Sequence, residues 1–226
     1  MGSTFGQILP LAVGIVLSPL PIVAVILMLF TARARANSTA FLAGWLGGLL
    51  LVGGAALALS DATGAAGSDG KPSDTSGIVK LVLGILLLLL AVRSWRSRPA
   101  EGEQPKLPRW MNALDTFTTT RSAVFGALLS SVNPKNLALL LAAVATISAS
   151  TASGGQQFAL LVAFAIVASL GIAVPVVTNL AMGARAEGVL TPAKDWLSRN
   201  NAGVMAVILL IFGAKLTGDA ISILSA

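Results

Sequence analysis

The chain has 226 residues, of which 55% are hydrophobic and 11% charged, and its net charge is +6. Soluble domains carry about 25% charge, so this composition cannot cover a water-facing surface and excludes a soluble protein. Cysteine and histidine are both absent, which removes disulfides, thiol chemistry, Cys/His metal sites and Ser-His or Cys-His nucleophiles.

A membrane-crossing helix needs roughly 20 apolar residues. Six stretches approach that length, at about residues 5–31, 39–60, 77–92, 122–148, 157–182 and 201–224. No Lys or Arg precedes the first, so it lacks the basic start of a signal peptide and reads as a retained span. In its middle stands Leu17-Ser18-Pro19-Leu20-Pro21-Ile22. The second span holds Trp45 and the pair Gly44 and Gly48, with Gly47, Gly53 and Gly54 nearby, a pattern for close helix packing. The connection over 61–76 is rich in Gly, Ser and Asp and predicts a flexible external loop. Lys80 sits near the outer end of the third span, where it can snorkel. The connection over 93–121 is the longest internal segment. Pro99, Pro105 and Pro108 make its first part irregular, and Trp110, Met111, Leu114 and Phe117 predict a short interfacial helix. The fourth span carries Val132-Asn133-Pro134-Lys135-Asn136-Leu137 in its middle. In the fifth, Pro175 predicts a kink, with Asn179 one turn later. In the sixth, Lys215 and Asp219 are one turn apart and can neutralise each other.

Basic residues fix the expected topology. The odd-numbered connections hold Arg33, Arg35, Arg93, Arg96, Arg98, Lys106, Arg109, Arg121, Arg185, Lys194 and Arg199, while the even-numbered ones hold Lys71 alone. The positive-inside rule then places both termini outside. Trp95, Trp110 and Trp196 fall on the same inner side, as belt residues should.

The two proline motifs open two three-span units that start on opposite sides of the membrane. The expected fold is an all-α polytopic membrane protein of six transmembrane helices, arranged as two inverted three-helix repeats with broken first and fourth helices. The first repeat covers residues 1–98, a cytoplasmic linker with the interfacial helix 99–120, and the second repeat 121–226. Proline donates no backbone hydrogen bond and clashes with the preceding turn, so each motif breaks its helix. A Ser or Asn before the proline is a natural N-cap, with proline at the first helical position. Each break thus predicts a helix N-terminus at membrane depth, with free amides and a partial positive charge suited to an anion. The two breaks should approach each other near the midplane.

Lys135 lies too deep in its span to snorkel, ~21 Å at 1.5 Å per residue. A lysine at the bilayer centre costs at least ~2.5 kcal/mol, so a polar cavity should receive it, helped by Asn133 and Asn136. It either binds an anionic or polar substrate group or donates to carbonyls freed by the opposite break. The candidate substrate-binding residues are therefore Ser18, Pro19, Pro21, Asn133, Pro134, Lys135 and Asn136. Lys215, Asp219, Asn179 and Trp45 are secondary candidates.

The segments GIVLSPLPIVAVILMLFTARAR, FLAGW and SSVNPKNLALLLAA resemble those of the lysine-exporter (LysE) superfamily, and within it the GAP/Sap family of actinobacteria, the peptidoglycolipid- or sulfolipid-addressing proteins. The resemblance covers essentially the whole chain. It implies six spans, a bacterial inner-membrane location and a role in moving envelope glycolipids outward. The expected function is a secondary transporter or flippase-like exporter of an envelope lipid or lipid-linked polar head group. The alternatives are a small-solute exporter and a non-transporting accessory protein of an envelope-lipid assembly. With no histidine, cysteine or carboxylate pair at membrane depth, an enzyme is not expected, nor is any cofactor or metal. The expected partners are membrane lipids, a substrate with a glycolipid or other polar or anionic head, and a homodimer mate or envelope-synthesis protein, with no nucleic acid.

Overall fold

The computed structural model describes residues 1–63, 73–98 and 116–225. These form nine α-helices and no strand. They are α1 (Gly2–Val16), α2 (Pro19–Leu29), α3 (Ala34–Thr63), α4 (Asp74–Arg96), α5 (Thr119–Ser131), α6 (Pro134–Ser148), α7 (Gly154–Ala168), α8 (Leu170–Met182) and α9 (Ala186–Leu224), with a 3-10 turn at Gly183–Arg185. Three helices, α3, α4 and α9, are long and apolar enough to cross a membrane alone. Three bent pairs bring the number of spans to six if each pair is one span: α1 with α2 at 54°, α5 with α6 at 64°, and α7 with α8 at 56°. Large apolar side chains point outward, Leu51 at 75% exposure and Leu89 at 64%. This inverted polarity is what a multi-pass membrane protein requires, because lipid is its solvent.

The first and fourth spans break where their sequences predict. Leu17 ends α1 and Val132 ends α5, and Pro19 and Pro134 open the helices that follow. The fifth span differs from expectation. Its bend lies at Ser169, and Pro175 sits inside α8. The Ser169 hydroxyl donates to the Ala165 carbonyl at 2.6 Å, and such back-bonding to the previous turn bends helices. The sixth span is also longer than its apolar core. α9 runs for 39 residues, about 58 Å at 1.5 Å per residue, so its first turns extend beyond a hydrocarbon layer of ~30 Å. The expected interfacial helix at 110–117 lies outside the described residues except for Thr116 and Phe117, and Phe117 stacks edge-on against Phe125 with ring centroids 5.4 Å apart.

Packing follows the small residues. A Cβ on Gly44 would overlap the Ala123 carbonyl oxygen, one on Gly48 would meet Ala127, and one on Gly126 would overlap the Phe41 carbonyl oxygen. α3 and α5 therefore touch backbone to backbone. α4 and α9 do the same through Gly84 and Gly213. Between helices in lipid no hydrophobic force acts, so close van der Waals approach supplies the attraction. Lys80 is only 7% exposed, so its side chain is packed within the protein.

Candidate functional site

The first proline motif and the second meet in space. Ser18 stands at the N-cap of α2 with extended backbone, but its hydroxyl makes no bond to the α2 amides. It donates instead to Asn136 Oδ1 at 3.0 Å, across the two halves of the chain. Two of the first three positions of α2 are prolines, Pro19 and Pro21, which have no N–H to offer. The free amides expected at this helix end are correspondingly few. Asn133 does act as an N-cap: its side chain accepts from the Lys135 amide at 3.1 Å.

Each break also leaves carbonyls without their helical donors. A continued α1 would pair the Gly14 carbonyl with the Ser18 amide. In its place the Lys135 ammonium donates to Gly14 O at 2.7 Å. A continued α5 would pair the Leu129 carbonyl with the Asn133 amide. There the Asn136 side chain donates to Leu129 O at 3.1 Å. Lys135 is 2% exposed and Asn136 fully buried. The ammonium leaves the partly positive N-terminus of α6 and ends at the partly negative C-terminus of α1, which favours it. The third break joins the other two, because a Cβ on Gly171 would overlap the Val16 carbonyl oxygen.

In front of these contacts lies a cavity of about 240 Å³. Ser18, Pro19, Pro21, Asn133, Pro134 and Lys135 all line it, and Asn136 stands behind them. Lys135 thus satisfies a carbonyl of the opposite break and also lines the cavity, whose wall is of mixed polar and apolar character rather than polar throughout. The opposite wall comes from α4, with Leu90, Arg93, Ser94 and Ser97, and from α9, with Asn201, Met205 and Leu209. Two cations and no carboxylate line the cavity. Asn201 Oδ1 is buried and has no hydrogen-bond partner among the described residues. The Ser94 hydroxyl ties the two walls together by donating to Ala202 O at 2.9 Å.

The family model for Sap, sulfolipid-1-addressing protein (SfLAP), matches residues 8–222. The chain belongs to that family. No curated protein and no solved structure matches it. Among Sap proteins an envelope-lipid role is the shared expectation, and both proline motifs and the cavity fall inside the matched region.

The secondary candidates lie elsewhere in this Sap chain. Lys215 and Asp219 form an ion pair at 2.6 Å, each 38% exposed, and do not line the cavity. Asn179 lines a separate cavity with Arg35 and Glu187. Trp45 is 1% exposed in the core beside Phe41. Sequence reasoning missed Arg93, Ser94, Ser97 and Asn201 as site residues. Arg93 carries a signal only in hindsight: with Ser94 and Ser97 it makes one polar face on the last turns of an apolar helix. Nothing in the sequence says that this face meets the proline motifs.

Proposed function

We propose that this Sap-family protein moves an envelope lipid with an anionic head outward across the bacterial inner membrane, seating the head in the cavity between the two breaks. One observation carries the reading: both proline motifs, Lys135 and Arg93 line one cavity that holds positive charge and no carboxylate. In a low-dielectric site such charge is felt strongly by an anion. Asn201 Oδ1 would accept from a hydroxyl of the head. The protein acts without a cofactor and makes or breaks no covalent bond. The same cavity, at about 240 Å³, also suits an amino acid or ion, so a small-solute exporter is the second reading, in keeping with the lysine-exporter superfamily. An accessory protein of an envelope-synthesis assembly needs no such cavity.

The fold reading that goes with this is a pair of inverted three-helix repeats. Its support is the pattern of neighbours: α4 packs on α9, α1 on α6, α3 on α5 and α1 on α7, so each broken span touches its counterpart and the middle span of the other half. Both termini lie outside, and the cavity opens inward beside Arg93, Ser94 and Ser97. An actinobacterial envelope is the setting we infer.

Lipid profiling of a deletion strain complemented with variants tests the proposal. Arg93→Gln and Lys135→Gln keep hydrogen bonding and lose charge. The doubly substituted protein should insert at normal levels and leave its lipid in the inner membrane. Normal lipid export by that variant would overturn the anionic-head reading, and a defect confined to a water-soluble metabolite would favour the small-solute one.

A further inference from the structure

A second cavity, of about 310 Å³, lies between α3, α4 and α6. Like the motif cavity it abuts α4 and α6, but at the other end of that seam. Lys135 and Ser148 stand near opposite ends of α6, ~20 Å apart at 1.5 Å per residue. The two cavities differ in chemistry. The motif cavity has two cations; this one has no charged residue, and joins apolar Leu59, Val79 and Val144 to the hydroxyls of Ser60, Ser76 and Ser148.

The hydroxyls are not equivalent. Ser60 donates to Ser148 at 3.1 Å. Ser76 is 4% exposed, and its hydroxyl has no hydrogen-bond partner among the described residues. The cause is its place in the chain. A serine deep in a helix bonds back to the previous turn, as Ser169 does. Ser76 is in the first turn of α4, capped by Ser73, and the Ser73 carbonyl already accepts from the Gly77 amide. A buried hydroxyl without a partner carries an uncompensated desolvation cost. An acceptor that enters this cavity removes that cost. The rim is apolar and faces outward, Leu59 at 64% exposure and Val79 at 38%, so entry is from the lipid side.

The occupant must then be uncharged, largely apolar and equipped with an acceptor. A charged group finds no counter-charge here, and a sugar finds too few polar partners. We propose that this cavity is a second lipid site, one that takes an ester-linked acyl chain whose carbonyl accepts from the Ser76 hydroxyl. The site stands apart from the head-group reading of the motif cavity.

The test uses the full chain in lipid nanodiscs with a phospholipid and an acylated disaccharide, each carrying a photoreactive diazirine in an ester-linked chain, and with the ether-linked analogue of each. Adducts should concentrate on residues 56–60, 75–79 and 141–148. Ester probes should exceed ether probes, and Ser76→Ala should lower ester labelling about 2–10-fold, to the ether level. Ser76→Ala removes one buried hydroxyl, and its folding is checked by thermal melting. Labelling by the phospholipid identifies the chain as bulk membrane lipid; labelling by the acylated sugar alone identifies it as cargo; either supports the site. Adducts spread over the lipid-facing surface at Leu51, Leu89 and Leu210 would overturn it, as would equal ester and ether labelling. The Arg93→Gln, Lys135→Gln protein should label as the parent does, which separates this site from the motif cavity.

Discussion

A lysine at the second position of α6 adds charge to a helix end that is already partly positive. The side chain escapes by reaching across to Gly14 O, at the carbonyl end of α1. A hydrogen bond from a charged group contributes about 1.5–3 kcal/mol, and here it also satisfies a carbonyl that the break at Ser18-Pro19 frees. The two roles separate on substitution. Lys135→Met fills the volume and leaves Gly14 O without its donor; Lys135→Gln keeps a donor. The Met protein should be less stable than the Gln protein by about 1–3 kcal/mol, seen as a lower melting temperature in detergent. Equal melting temperatures would show that the Gly14 contact contributes nothing to the fold.

The broken pairs and the unbroken helices are held by different means. At the breaks, side chains replace lost backbone bonds: Asn133 caps α6, Asn136 closes α5, and Ser18 links the two motifs. Away from the breaks, helices rely on contact, as where the unbroken α3 meets α5. At Gly44 and Gly126 the space for a Cβ is occupied by backbone, which cannot rotate away. Overpacking usually costs about 1–3 kcal/mol, and a rigid obstacle places these sites at the upper end. Gly44→Leu and Gly126→Leu should therefore abolish the monodisperse peak of purified protein, whereas Gly47→Leu, where nothing lies within 4 Å, should leave it unchanged. The three substitutions differ little in hydropathy, so the comparison isolates packing.

Orientation belongs to the whole chain, because it is set by the sum of loop charges and by no single contact. Cysteines placed at Arg98 and Thr151, both exposed, report opposite sides. An impermeant thiol reagent applied to intact cells should label position 151 and spare 98. With the reverse pattern, the motif cavity would open outward and the proposed direction of transport would lose its basis. The parent chain has no cysteine, so the background is empty.

The apolar stretches, the breaks at Ser18-Pro19 and Asn133-Pro134 and a close helix contact at Gly44 and Gly48 were legible in the sequence, because each has a local cause. Apolar length sets a span, proline breaks a ladder wherever it stands, and a glycine pair on one face invites a neighbour. The bend at Ser169 was not legible, because hydroxyls also turn back on the chain at Ser122, Thr146 and Thr217 without a break there. Nor was the partner of Lys135: the sequence required one for a buried ammonium, and only the crossing of α1 and α6 selected Gly14 O over a ligand alone. Arg93 and Asn201 join the cavity for the same reason. They lie on helices that the sequence describes separately, and the tertiary packing of α4 and α9 against the two breaks brought them together.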